Sequence, residues 1–298
     1  MELWNKNGKL ISQHEWEKQI DLLRKETSAL IENKKECCSL ITEKLLNAIE
    51  RRIPKETFCI FLSGGIDSSL LALAAKKFSN NFILVTIGTK GSPDMINAKI
   101  MANALQLPWK VHELSERDCE KLIKKTVHLL PASLHEPVSV GISAVVIAAV
   151  ELAKSEGINY FIGGLGAEEI FAGYQRHLTT ADVHEECWQG LRAMWAKDLQ
   201  RDAALGKTLI INVATPFLDS ELIKAAMRVP GKFKIVDGER KVILREIAEQ
   251  LGIPHEIAWR KKQAAQYGSG MDKMIAKLAK KYGYKSKSEY VKSIKTST

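Results

Sequence analysis

Four short apolar runs, each followed by a turn and a segment of helical spacing, constrain this chain more than any other feature. They are "FCIFL" (58–62), "NFILVTI" (81–87), "KVHEL" (110–114) and "INYFI" (158–162). Strand–helix alternation of this kind builds a parallel sheet covered on both faces. The expected fold is therefore α/β, with a doubly wound, mostly parallel sheet and helical additions at both ends. Local signals agree. Ser92-Pro93 is a good helix start, because proline at the first helical position has no N–H to waste. Ser115 with Asp118 three residues on is a second start. "SAVVIAAVELAKSEG" (143–157) reads as a buried helix ending at Gly157.

Flanking segments read differently. "LWNKNGKLIS" predicts a hairpin around Asn7-Gly8, which must pack on something to persist. Apolar spacing from about His14 to Arg52 is helical. After about residue 180 the pattern is mainly helical. The expected organisation is a hairpin and helices over 1–53, an α/β core over 54–180, and a helical part over 181–298. No run approaches the ~18 apolar residues of a membrane span. The start lacks the basic-then-apolar plan of a signal peptide. Five cysteines without a C-x-x-C argue against both a disulfide framework and a zinc site. A cytoplasmic protein is the expectation. The net charge of +9 is concentrated in the Lys-rich end, which suits an anionic ligand such as ATP, with nucleic acid less favoured. A solvated terminal helix is the plainer reading of that end.

In an open parallel sheet, ligands bind beyond the carboxyl ends of the strands. "SGGIDSS" follows the first strand, "GTKGSPD" the second and "GGLGAEE" the fourth, so all three should share one edge. In "FLSGGIDSS", Gly64 and Gly65 allow a tight turn and close backbone approach. Ser63, Ser68 and Ser69 add hydroxyl donors, and the following helix points its positive end at the turn. This is a phosphate cradle, although not a Walker A loop, since no lysine stands in it. Asp67 would repel phosphates unless a cation intervened, and magnesium suits carboxylates plus phosphate oxygens. The plainer alternative is an ordinary strand-to-helix turn with Asp67 as a capping residue.

The S-G-G-x-D-S-S run resembles the pyrophosphate loop (PP-loop) of the N-type ATP pyrophosphatases, which have the adenine nucleotide alpha hydrolase-like fold and split ATP to AMP and pyrophosphate. "TIGTKGSPDMINAKIMANAL", "GGLGAEEIFAGYQRH", "ATPFLDSELIKAAMRVP" and "GERKVILREIAEQLGIPHEIAWRKK" resemble, in order, motifs of the synthetase domain of asparagine synthetase. "RKKQAAQYGSG" and "AGYQRH" look most like the divergent asparagine synthetase domain-containing branch. The resemblance implies an ATP- and Mg2+-dependent ligase that adenylates a carboxylate, aspartate or an analogue. It implies that Ser63, Gly64, Gly65, Asp67 and Ser68 bind pyrophosphate, with Asp67 and Glu168 on magnesium. Ile87 would line the adenine pocket opposite Gly163 and Gly164. Lys241 and Lys262 would neutralise the triphosphate and the departing pyrophosphate, where surface solvation is the plainer reading of each.

The chain also departs from that pattern. Leu165 stands where the family has an acid thought to handle a proton, and leucine can neither accept nor donate one. Glu168 replaces an aspartate. Glu169 matches the family glutamate, and complementing a helix dipole is as good an account of it as catalysis. Gly141 and Ala214 stand in place of substrate-side arginines. Glu2 stands where a glutaminase cysteine would be, so ammonia is expected to come free or from a separate glutaminase subunit. A homodimer is allowed. Two other readings remain open: a non-catalytic or regulatory ATP-binding module, and an adenylating enzyme of the same fold acting on RNA.

Overall fold

The computed structural model describes residues 3–6, 9–261 and 263–294. Strands β1 (Asn5–Lys6) and β2 (Lys9–Leu10) pair antiparallel. The expected Asn7-Gly8 turn lies outside the described residues. The hairpin is held down by its neighbours: the Trp4 indole donates to Thr215 Oγ1 at 2.9 Å, and the Trp195 indole donates to the Ile11 carbonyl at 2.8 Å. Helices α1 (Gln13–Glu26) and α2 (Lys34–Glu50) follow. Two helices thus stand where the spacing suggested continuous helix, because Asn33 caps the second with its side chain.

The α/β core is β3 (Phe58–Phe61), α3 (Ile66–Lys76), β4 (Phe82–Thr89), α4 (Pro93–Leu105), β5 (Trp109–Leu114), α5 (Glu116–Leu129), α6 (Pro137–Lys154) and β6 (Tyr160–Ile162). Ser92 and Ser115 take their expected cap positions, the latter in a complete capping box with Asp118. A fifth strand, β7 (Asn212–Ala214), completes a wholly parallel sheet of order β5-β4-β3-β6-β7. This strand was not expected. It has only three residues and lies at the sheet edge in a helical region, too short for a period-2 signal.

Alternation along β3 decides what each face buries. Phe58, Ile60 and Leu62 join the larger core, with α1 to α4, while Cys59 joins the second core, with α5 and α6. The larger core also gathers Trp4 and Trp16 from the N-terminal segment and Leu244 and Ile257 from the C-terminal one. All three sequence segments therefore share one interior. Helix α6 begins six residues before the run read as helical. By length and composition it is apolar enough to cross a membrane, contrary to the expectation that no run approached that length. Ten of its residues are buried, and it packs on β4 and α5, which accounts for its apolarity.

Beyond β6 come α7 (Ala167–Ile170), α8 (Val183–Ala193), α9 (Asp198–Leu209), α10 (Ser220–Met227) and α11 (Gly231–Lys234). A ribbon of β8 (Ile235–Val236) and β9 (Glu239–Arg240) leads into α12 (Val242–Leu251) and the single turns α13 (His255–Ala258) and α14 (Ala265–Gly268). The basic end forms α15 (Met271–Lys281) and α16 (Lys287–Ser293). Met271, Ile275 and Leu278 are buried in the second core. Lys277 and Lys281 both pair with Glu116, and Lys287 pairs with Asp272. These pairs fit a packed amphipathic helix better than a phosphate-facing stripe. All five cysteines are free and buried.

Lys234 is fully buried. Among the described residues its ammonium finds only sulfur partners, Cys187 Sγ at 3.8 Å and Met227 Sδ at 3.9 Å. Burial pushes this amine below its ordinary value of 10.5. The folded protein thus sheds this proton at lower pH than the unfolded chain, and stability should rise with pH up to 10.5. Lys234→Met removes the desolvated charge and keeps the volume. It is expected to stabilise the protein by about 1–3 kcal/mol at neutral pH, and to flatten the alkaline rise, as read by urea unfolding at pH 7 and pH 10.

Candidate active site

Because every strand of the main sheet is parallel, the turns after β3, β4 and β6 emerge at one edge, as expected. Strand β3 is central, and the chain runs outward from it to β4 on one side and β6 on the other. In open parallel sheets, ligands bind at such a reversal. The turns are in contact. Gly64 adopts φ +65°, and a Cβ there would lie 2.4 Å from the Asn97 carbonyl carbon in α4. A Cβ on Gly164 would lie 3.4 Å from Asp67 Cβ. Only glycine permits the first approach, so the first turn is seated on the helix opened by the second.

Within the first turn, Ser68 Oγ lies 3.1 Å from Ser63 Oγ and accepts from the Ser63 amide at 3.2 Å. Ser63 Oγ accepts from the Gly65 amide at 3.2 Å. The loop is thus preformed by its own hydroxyls. Ser69 behaves differently. It is fully buried in α3, and among the described residues its hydroxyl has no hydrogen-bond partner.

The densest feature is ionic. Lys241 Nζ donates to Asp67 Oδ1 and Oδ2, both at 2.7 Å, and to Glu168 Oε1 at 2.8 Å. The lysine side chain is 2% exposed, and the carboxylates are 16% and 14% exposed. Three residues far apart in sequence therefore converge beside the serine-glycine loop. Lys241 has φ +58° at the cap of α12, and Arg240 beside it donates to the Gly173 carbonyl at 2.9 Å. Lys262, the second expected cation, lies outside the described residues.

Two carboxylates around a cation are a donor set that a phosphate-bound divalent ion can take, and here the cation between them is the Lys241 ammonium. Among the described residues no cluster of three or more metal-binding side chains occurs. A metal at Asp67 and Glu168 would therefore need further oxygens, which phosphates supply.

Two partners of the site were not singled out from the sequence. Arg260 Nη1 donates to the Ser63 carbonyl at 2.7 Å, and Nη2 pairs with Asp94 at 2.8 Å. One guanidinium thereby ties the first turn to the helix opened by the second. Arg245, almost fully buried, donates to the carbonyls of Arg240 and Arg260 at 2.8 and 3.0 Å. It sets the positions of both Lys241 and Arg260. The quoted segment "GERKVILREIAEQLGIPHEIAWRKK" contains both arginines, but spacing alone does not say which carbonyls they meet.

The remaining positions divide. Ile87 is buried in the second core near the end of β4, where it pairs in register with His112. Gly163 donates to the Ala214 carbonyl at 3.0 Å, joining β6 to β7. Gly163 and Gly164 both remain partly exposed. Leu165 is partly buried against the larger core, an apolar contact where a proton-carrying group would be out of place. Glu169, next to Glu168 in α7, is buried. It is 2% exposed and accepts from the Tyr174 hydroxyl at 2.6 Å. Burial pushes its carboxyl up to about 7, against the pull of that hydroxyl.

Gly141 lies inside α6, not before it, and a Cβ there would lie 2.9 Å from Gln266 Cβ. No arginine fits without displacing that segment. The same segment presses on the second turn: Gly268 faces Asp94, and Gly270 faces Thr89. The Thr89 amide donates to the Ser269 carbonyl at 2.8 Å.

A sequence model of the family described as asparagine synthase matches residues 40–202 and 178–293. A Methanocaldococcus jannaschii protein, provisionally named a glutamine-hydrolyzing asparagine synthetase, is 30% identical over 266 residues, covering 76% of this chain and 48% of its own. Glutamine-hydrolyzing asparagine synthetase B of Escherichia coli is 25% identical over 231 residues, covering 71% and 41%. The chain thus spans about half the length of the curated relatives it matches, or less. Among solved structures, the NMN synthetase of Francisella tularensis superposes with a TM-score of 0.46 at 17% identity, covering 88% of this chain and 92% of that one.

Proposed function

The chain belongs to the asparagine synthase family, and from that premise we propose that it is an ATP-dependent, AMP-forming ligase. It adenylates a small carboxylate, aspartate or an analogue, for amide formation with ammonia supplied from outside or by a separate glutaminase. The observation that carries this reading is the convergence of Asp67, Glu168 and Lys241 beside the Ser63–Ser68 loop at the carboxyl edge of the sheet. In the proposed reaction the substrate carboxylate attacks the α-phosphorus of ATP. The bond to the bridging oxygen breaks, and pyrophosphate leaves with its electron pair. Ammonia then attacks the acyl carbon and AMP departs. Ser63, Gly64, Gly65 and Ser68 cradle the pyrophosphate through their backbone amides and hydroxyls. Lys241 and Lys262 offset its growing charge. Magnesium, held by Asp67 and Glu168, would let carboxylates and phosphates share one site. Ile87, Gly163 and Gly164 border the adenine. Cytoplasmic residence belongs to the same reading, since five unpaired cysteines suit a reducing compartment.

The deciding measurement is ATP–pyrophosphate exchange with magnesium, supplying aspartate and then a panel of other carboxylic acids. Exchange with one of them is expected. Its absence with all, in a folded sample, would rule the ligase out. A second reading is a regulatory ATP-binding module beside a separate glutaminase. It is favoured by Leu165 partly buried against the core and by the crowding of Gly141 by Gln266. Substrate-dependent AMP release from the chain alone would exclude it.

A further inference from the structure

Lys241 cannot serve the triphosphate as it now stands. An ammonium has three donors, and all three are spent on Asp67 Oδ1, Asp67 Oδ2 and Glu168 Oε1. The side chain is closed in as well, at 2% exposure. The backbone at Gly173 is pressed against it: a Cβ there would lie 1.8 Å from Glu168 Oε2 and 2.3 Å from Lys241 Cε. Arg240 holds that backbone through the Gly173 carbonyl, and the Gly173 amide donates to the Glu168 carbonyl at 2.8 Å. Ala172 and Lys241, on the two facing segments, both take positive φ, 57° and 58°. Such conformations cost energy in residues with a Cβ and persist where surroundings over-determine them.

We propose that Lys241 is the resident counter-cation of the metal position. In the nucleotide-free protein it closes that position by holding both carboxylates. It yields them only when a divalent cation enters with the nucleotide, and only then has donors for the phosphates. The inference rests on the reading of Asp67 and Glu168 as the metal-holding pair. Charge and donor number support it. Two carboxylates this close need a cation between them, and one ammonium cannot satisfy three carboxylate contacts and a phosphate together. The lysine stem is long enough to swing the head away by side-chain rotation while the α12 cap stays in place. The arrangement would discourage metal-free ATP and phosphate-free metal alike, because each alone leaves a charge unmatched.

The test compares wild type with Lys241→Met in the absence of nucleotide, titrating Mn2+ and reading the free ion by electron paramagnetic resonance. The variant is expected to bind Mn2+ at least about tenfold more tightly, and its melting temperature should rise with Mn2+ when that of the wild type does not. Equal affinities would overturn the proposal, since a static ion pair leaves no metal position to uncover. Mn2+ binding by wild type only with ATP, and by the variant under neither condition, would overturn it too, while keeping the metal reading. Absence of Mn2+ binding in both proteins even with ATP would remove the metal reading itself, and this inference with it. Where Lys241→Met fails to fold, Lys241→Gln, which retains a neutral donor toward the carboxylates, is measured in its place with the same outcomes.

Discussion

Asp67→Ala is expected to lower magnesium-dependent ATP–pyrophosphate exchange by at least about 10²-fold, the scale seen when one preorganised electrostatic group is deleted from an active site. Asp67 stands in the first turn of α3 and takes two of the three hydrogen bonds of Lys241. Its loss would remove half of the carboxylate pair and loosen the lysine at once. Glu168 still pairs with that lysine, so the buried ammonium keeps one partner and the variant should remain folded. Circular dichroism melting checks this independently. Activity within tenfold of wild type in a folded sample would mean that the loop after β3 is not the phosphate cradle.

Gly64→Ala is expected to destabilise the protein by about 2–4 kcal/mol, near the upper end of single-substitution effects. Two costs add. The residue sits at φ +65°, where a Cβ costs roughly 1 kcal/mol. That Cβ would also fall 2.4 Å from the Asn97 carbonyl carbon and 2.5 Å from the Ala98 nitrogen. These are backbone atoms of α4, which cannot rotate aside, so the loop or the helix must move. Overpacking alone typically costs ~1–3 kcal/mol. Denaturant unfolding reads the loss. A cost below about 1 kcal/mol would show that the loop relaxes freely and is not seated on α4. In contrast, among the described residues a Cβ at Gly65 meets only Ser63 Oγ, at 3.2 Å, so Gly65→Ala serves as the mild control.

The architecture was largely legible where elements were long and bounded by strong signals. Each of the four expected strands is present, and Pro93 and Ser115 mark helix starts where expected. Strand β7 and the break between α1 and α2 were not legible. A three-residue edge strand has too few side chains for a period, and an asparagine cap competes poorly with the apolar spacing around it. The site was legible as separate turns. Asp67, Glu168 and Lys241 could each be singled out, and so could the departures at Leu165, Gly141 and Ala214. Glu169 was left open between cap and catalyst. Its burial and its hydrogen bond from Tyr174 were signalled by no local pattern.

The order of residues by itself determined the parallel sheet, its shared carboxyl edge and the glycine turns placed there. These follow from local propensity and from periodicity over a few residues. The tertiary structure alone decided which charges meet. Lys241 lies 174 positions from Asp67 and 73 from Glu168, and Arg260 reaches Ser63 across 197. An ion pair depends on distance in space, which the fold sets through the packing of α12 on α3 and the clamp of Arg245. The sequence thus specified the turns that could hold a nucleotide, and packing decided that a lysine stands between the two acids there.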